Sequence, residues 1–345
     1  MNFIKIYIFC PTDVVSGGVN SLQILCNALV SNKIDAKIFY IKPLEEFINH
    51  PVIRSFNAPY TTEIEDSFQN LLIVPEAYIP VLHQYGSIRK MIYWLGIYFY
   101  IKKPPHRFPF SIKIVRKIFA GYSFFGNPVG GFHAFTQKVN LWSKKKDPVW
   151  SSGIIHMTNS FYAADFLKYM GINDAIVLHN PVRDTFYLQK TKPGKEKKIL
   201  FGPGTPNKLI RQIRKSFPDY ECIRLRHMHP EDVHRLYTES MLFIELGDFA
   251  GRNRMPREAV LSGCVVITSR MGSANYYSDL PLPDYYKLDT GTKCLPELLK
   301  KIQSVTTDYP IHYSKMQNYI DCLINEKNNF ETEVANVFKN KQGKN

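Results

Sequence analysis

Phe3 to Cys10 reads as an apolar strand, Ser16-Gly17-Gly18 as a turn, VNSLQILCNALVSN as a helix and AKIFYI as a second strand. Strand, glycine turn, helix and strand at this spacing form a βαβ unit, which commits the chain to a parallel sheet with crossover helices. LLIVPEAY (Leu71 to Tyr78), RKMIYWLGIYFY (Arg89 to Tyr100), GIIHMTNS (Gly153 to Ser160) and AIVLHNPV (Ala175 to Val182) extend the set. Between the last two, SFYAADFLKYMGI is a helix capped by Asn159 or Ser160 and closed near Gly171.

The pattern then repeats. QKTKPGKEKK (Gln189 to Lys198), with Pro193 and Gly194, reads as an exposed linker. After it come KILFGPG, NKLIRQIRKSF, YECIRLR, HPEDVHRLYTES with Pro230 in its first turn, MLFIELGD, PREAVLSG stopped by Gly263, and CVVITS. A chain of 345 residues suits two such domains. The expected boundaries are 1–185 and 186–315, with 316–345 a final helix.

Ligands of open parallel sheets bind outside the carboxyl ends of the strands, and three motifs fall there. Gly17-Gly18 opens the first helix, where small residues and free N–H groups suit phosphate, although a tight turn alone would also explain them. FGPGTPNKLIRQIRK places Lys208 and Arg211 on the early turns of a helix, as diphosphate ligands or as a solvated basic face. ELGDFAGRNRMPREAVLSGCVVIT carries Arg254 in a loop, then Pro256 as the opening of a helix, with Arg257 and Glu258 in its first turn. A carboxylate there can accept from ribose hydroxyls while the arginines meet phosphate; offsetting the helix dipole is the alternative.

PREAVLSGCVVIT resembles the donor-nucleotide segment of retaining GT-B glycosyltransferases. SGGVNSLQILCNAL, LIVPEAY, YWLGIYFY, HMTNSFYAADFLKYMGI, LHNPV and GRNRMPREAVLSGC, in this order, resemble pieces of bacterial polysaccharide and rhamnan-type glycosyltransferases. The resemblance implies an α/β fold of the GT-B type, two Rossmann-like domains whose parallel sheets face a central cleft. It implies transfer from a nucleotide-sugar donor to a saccharide or lipid-linked saccharide acceptor, and a final helix that returns to the first domain. It places Glu258 on the donor ribose, Arg254 and Lys208 on phosphate, and Gly17-Gly18 over donor or acceptor. Two departures stand out: Ala250 replaces an acid eight positions before the glutamate, and Gly96-Ile97 follow Trp94-Leu95 in place of an Asp-Asn pair.

Glu76 and His133 are the candidate catalytic side chains, because an inverting transfer needs a carboxylate or histidine base. A retaining transfer can leave the acceptor proton to the departing diphosphate. No cofactor and no metal are expected: the chain has no DxD-like pair at a strand end, so Lys and Arg would meet the phosphate charge. The six cysteines show no metal-ligand spacing.

Lys plus Arg exceed Asp plus Glu by 44 to 30, a net charge of +14. Between Glu76 and Asp147 there is no acid, and twelve basic residues from Arg89 to Lys146 interleave with aromatics. That mixture suits an anionic membrane surface, hence a cytoplasmic protein resting on the inner face of the cytoplasmic membrane. No nucleic-acid module is recognised, so no nucleic-acid partner is expected. The competing readings are an inactive glycan- or lipid-binding scaffold and a sugar-nucleotide epimerase of the same fold.

Overall fold

In a computed structural model the apolar runs pair as two separate parallel sheets; the structure describes residues 3–42, 44–97, 100, 153–188, 195–290 and 294–339. His133, most of the basic and aromatic stretch 89–146, and linker residues 189–194 lie outside the described residues. The chain divides into two units, residues 1–181 with 326–345, and residues 182–325.

The first unit runs β1 (Ile6–Phe9), α1 (Gly17–Ser31), β2 (Ala36–Phe39), the short helices α2 (Glu45–Ile48) and α3 (Pro51–Arg54), and β3 (Tyr60–Thr61). It continues with β4 (Leu71–Pro75), β5 (Arg89–Trp94), β6 (Ile154–Thr158), α4 (Phe161–Tyr169) and β7 (Ile176–Val177). The sheet order is β3-β2-β1-β4-β5-β6-β7, with Ile6 of β1 level with Ala36 and with Leu71. The chain winds outward from β1 and then returns to its other side, so the topological switch point lies between the carboxyl ends of β1 and β4. Ile6, Ile8, Leu71 and Ile73 are at most 1 % exposed, and α1 covers them with Leu22, Leu25 and Leu29. Each such side chain contributes about 1.5–3 kcal/mol. Ser160 caps α4 by accepting from Ala163 N at 3.2 Å, which settles the choice left with Asn159.

The second unit runs β8 (Glu196–Phe201), α5 (Asn207–Ser216), β9 (Glu221–Arg224), α6 (Pro230–Glu239), β10 (Ser240–Glu245), α7 (Arg254–Leu261), β11 (Val265–Ser269) and β12 (Lys287–Leu288). Helices α8 (Cys294–Thr307), α9 (Tyr309–Ser314) and α10 (Gln317–Phe338) follow. The order β12-β11-β10-β8-β9 puts its switch point between β8 and β10. Tyr319 and Leu323 of α10 join this unit's core, whereas Phe330, Val334 and Phe338 belong to the core of the first unit.

Several expected boundaries move, each for a local reason. The run from Arg89 leaves the sheet after Trp94, because the N–H groups of Leu95 and Gly96 turn to a carboxylate instead. The linker ends early: β8 starts at Glu196, and Lys195 extends its Nζ to the carbonyls of Tyr237, Thr238 and Ser262. Those carbonyls close α6 and α7, so a charge read as solvated ties two helix ends together. The helix expected to open at Pro256 opens at Arg254. Proline is tolerated throughout a first turn, where N–H groups lack partners anyway, so it marks the turn rather than its first residue. Glu258 accordingly lies in the second turn. Gly263, at φ +96°, stops the helix as expected.

Candidate functional site

At the first unit's switch point, Ser16 caps α1 by accepting from Val19 N at 3.4 Å. Gly17 and Gly18 form the first turn above it. A Cβ built on Gly18 would meet only Leu95 Cδ1 at 3.6 Å and Ser16 Oγ at 3.8 Å, ordinary contacts. The protein's own packing therefore does not demand this glycine. Gly18→Ala is expected to leave stability unchanged or raise it by up to about 1 kcal/mol in thermal melts, so any binding defect it causes reports on a ligand.

Glu76, at the end of β4, is 3 % exposed. Its Oε2 accepts from Leu95 N and its Oε1 from Gly96 N, both at 2.9 Å. The carboxylate thus bridges the ends of β4 and β5, and both oxygens are engaged by backbone. Burial pushes its carboxyl up to about 7, against the pull of those N–H groups. A carboxyl raised on folding stabilises the fold fully below its ordinary value of 4.5, and that contribution is lost as pH rises through about 7. Urea unfolding should therefore show wild type losing roughly 3 kcal/mol relative to Glu76→Gln as the pH rises across this window. A constant difference would mean that the N–H groups keep the carboxylate ionised throughout. Nearby, Trp94 Nε1 donates to His156 Nδ1 at 3.1 Å, and burial lowers this histidine to about 4, so it remains a neutral acceptor.

In the second unit, α7 presents its charged residues unequally. Arg257 is 2 % exposed and donates to the carbonyls of Arg252 (3.0 Å) and Asn253 (3.4 Å). It braces the loop that leads into its own helix. Arg252, 6 % exposed, donates to Asp279 O at 3.1 Å. Arg254 is the accessible one, with its side chain 37 % exposed and its Nε 3.8 Å from Glu258 Oε1. Glu258 is 4 % exposed, yet among the described residues no donor hydrogen-bonds its carboxylate. A buried glutamate beside a guanidinium thus keeps acceptor capacity that no donor among the described residues uses.

Arg183 and His234 complete this neighbourhood. The charges of Glu258 and Arg254 act on Arg183, those of Arg183 and Glu258 act on His234, and the His234 ring packs edge-on against Phe186 at 4.9 Å. Neither residue carries a sequence signal: Arg183 precedes Glu258 by a whole set of strands, and His234 sits mid-helix in α6. Lys208 and Arg211 are exposed on α5, and no hydrogen bond or ion pair joins them to Glu258 among the described residues.

A second carboxylate occupies the switch point itself. The register sets Ile244 level with Phe201, so Glu245 follows beside Gly202. Glu245 accepts from Gly247 N at 2.9 Å and from Gly204 N at 3.4 Å. A Cβ on Gly202 would lie 1.9 Å from Glu245 Oε2, and one on Gly204 would lie 2.6 Å from Gly247 Cα. The loops after β8 and β10 therefore touch backbone to backbone around a buried carboxylate, whose burial raises its pKa. Glycine amides that could cradle a phosphate here are already turned toward the protein's own acid. FGPG was read for its basic helix, and nothing in the sequence paired it with Glu245.

No protein-family model and no curated protein matches the chain. Solved structures do. A glycosyltransferase from Rickettsia africae matches with a TM-score of 0.56 at 10 % identity, over 99 % of this chain and 100 % of its own. HepE of Anabaena, solved in complex with UDP-glucose, matches with a TM-score of 0.59 at 10 % identity, over 96 % and 98 %. A DNA-modifying β-glucosyltransferase matches with a TM-score of 0.54 at 10 % identity, over 96 % and 98 %. At this identity the likeness speaks for architecture: the chain has the GT-B fold, one Rossmann-like α/β half in each unit.

Proposed function

We propose that the protein is a glycosyltransferase that takes a nucleotide sugar and delivers the sugar to a saccharide or lipid-linked saccharide in surface polysaccharide synthesis. The observation that carries this reading is Glu258: a carboxylate 4 % exposed, without a hydrogen-bond donor among the described residues, beside Arg254. Two ribose hydroxyls would satisfy it, and the adjacent cations would meet phosphate. The enzyme would then act by positioning the donor and neutralising the departing diphosphate, with arginine and lysine in place of a metal. Because HepE was solved with UDP-glucose, UDP-sugars are the first donors to test.

Glu76, whose oxygens are both engaged by backbone, fits a brace that shapes the ends of β4 and β5 better than a base. This favours a retaining transfer that needs no protein base. The rest of the chain's proposed setting, docking on an anionic membrane through 89–146, rests on charge and aromatic content alone.

The deciding experiment is a thermal-shift screen against UDP, GDP, dTDP, CMP and their sugars, followed by donor turnover with glycan acceptors. A ligand at 100 times its dissociation constant stabilises by roughly 2.7 kcal/mol. Binding and acceptor-dependent turnover support the reading, and binding without turnover points to the inactive scaffold. Duplex DNA belongs in the acceptor panel, since one protein of this fold modifies DNA; turnover on DNA alone would overturn the glycan assignment.

A further inference from the structure

Arg183 differs from several other arginines of its unit. Arg252 and Arg257 donate to loop carbonyls, Arg214 donates to Cys222 O, and Arg224 holds Asn207 and Pro203. Arg183 is half-buried, its Nε is closed off from solvent without an acceptor, and among the described residues it makes no hydrogen bond and no ion pair. Its guanidinium lies 5.4 Å from the centroid of the Phe186 ring, and His234 packs on the same ring at 4.9 Å. A planar cation held against an aromatic face loses little further freedom when it binds.

Removing a guanidinium from water without giving it acceptors is costly. The charges that act on it are the attraction of Glu258 and Glu231 and the repulsion of Arg254. Two arginines thus stand with two carboxylates, and of these groups only Arg254 and Glu258 are in ion contact among the described residues, at 3.8 Å. A ligand with a diol and a doubly charged anion would satisfy every group at once.

We infer that Arg183 binds phosphate oxygens of the donor's diphosphate, pairing with Arg254 while Glu258 holds the ribose. This rests on the nucleotide-sugar reading above and adds to it a ligand-binding residue outside every sequence motif. Arg183, half-buried with its Nε closed off from solvent, is prepared for a bidentate contact with an anion.

The test is calorimetric titration of the full chain, Arg183→Gln, Arg183→Lys and Glu258→Ala with UDP, GDP, dTDP, ADP and CMP. The corresponding nucleosides are measured by ligand-observed NMR, and each variant is melted without ligand. The expected result is that Arg183→Gln weakens the preferred nucleotide about 10- to 100-fold, the worth of one charge-assisted contact. Arg183→Lys should be weakened less, nucleoside binding should be unchanged, and the ligand-free Tm should be no lower than wild type. If Arg183→Gln binds as wild type while Glu258→Ala does not, the inference is overturned and the nucleotide reading stands. If nucleotide and nucleoside weaken equally, Arg183 shapes the pocket instead of holding phosphate, and the inference is again overturned. If wild type binds no nucleotide, both fall together.

Discussion

Glu258→Ala is expected to lower affinity for the donor nucleotide at least about 100-fold, since each of two bonds to a charged acceptor is worth roughly 1.5–3 kcal/mol. The same change should leave the ligand-free protein as stable as wild type or more stable. The two expectations share one cause. In the free protein the carboxylate is 4 % exposed and receives no hydrogen bond among the described residues, and its one ion contact, Arg254 Nε at 3.8 Å, is to a side chain 37 % exposed. Removing it takes away a carboxylate that receives no hydrogen bond among the described residues and leaves only a cation that water can reach. A group that binds ligand at the expense of stability behaves in this way. Titration calorimetry and thermal melts on the same preparation check both halves. A variant that binds normally but melts well below wild type would recast Glu258 as a helix residue.

The largest effect on stability should come from the glycine cradle. Gly204→Ala puts a methyl group 2.6 Å from Gly247 Cα and 2.5 Å from Glu245 Oε1. Backbone blocks it, so the loops after β8 and β10 must part, at a cost of about 3 kcal/mol or more. Gly202→Ala meets a different obstacle, Glu245 Oε2 at 1.9 Å and Cδ at 2.6 Å, which is a side chain. Glu245→Ala should therefore rescue Gly202→Ala in a double-mutant cycle and should not rescue Gly204→Ala. Denaturant melts of wild type, the three single variants and the two pairs measure this. Equal rescue of both would mean that the loops are held apart by the carboxylate alone.

The sequence located the strands of both sheets except the two-residue edge strands β3 and β12, because buried parallel strands are continuous apolar runs bounded by glycine and proline. It narrowed the cap of α4 to Asn159 or Ser160 and placed the stop of α7 at Gly263 for the same local reason: helix ends are written in adjacent residues. It erred by two residues at Pro256, where the first turn of a helix accepts proline at more than one position.

The functions of individual charged groups were a different matter. Whether an arginine meets solvent, a carbonyl or a ligand depends on which loops the topology brings beside it, and the sheet order decides that. Arg257, read as a phosphate ligand, braces a loop; Lys195, read as linker, closes two helices. Glu76 reaches amides some twenty positions away, and Glu245 reaches Gly204 across the β8–β10 switch point. The sequence by itself determined which segments must be buried and parallel, since that follows from hydrophobic period and turn chemistry. Only the tertiary structure decided which charged groups are already hydrogen-bonded and which, like Glu258 and Arg183, receive no hydrogen bond among the described residues, because hydrogen-bond satisfaction is a property of space and not of order along the chain.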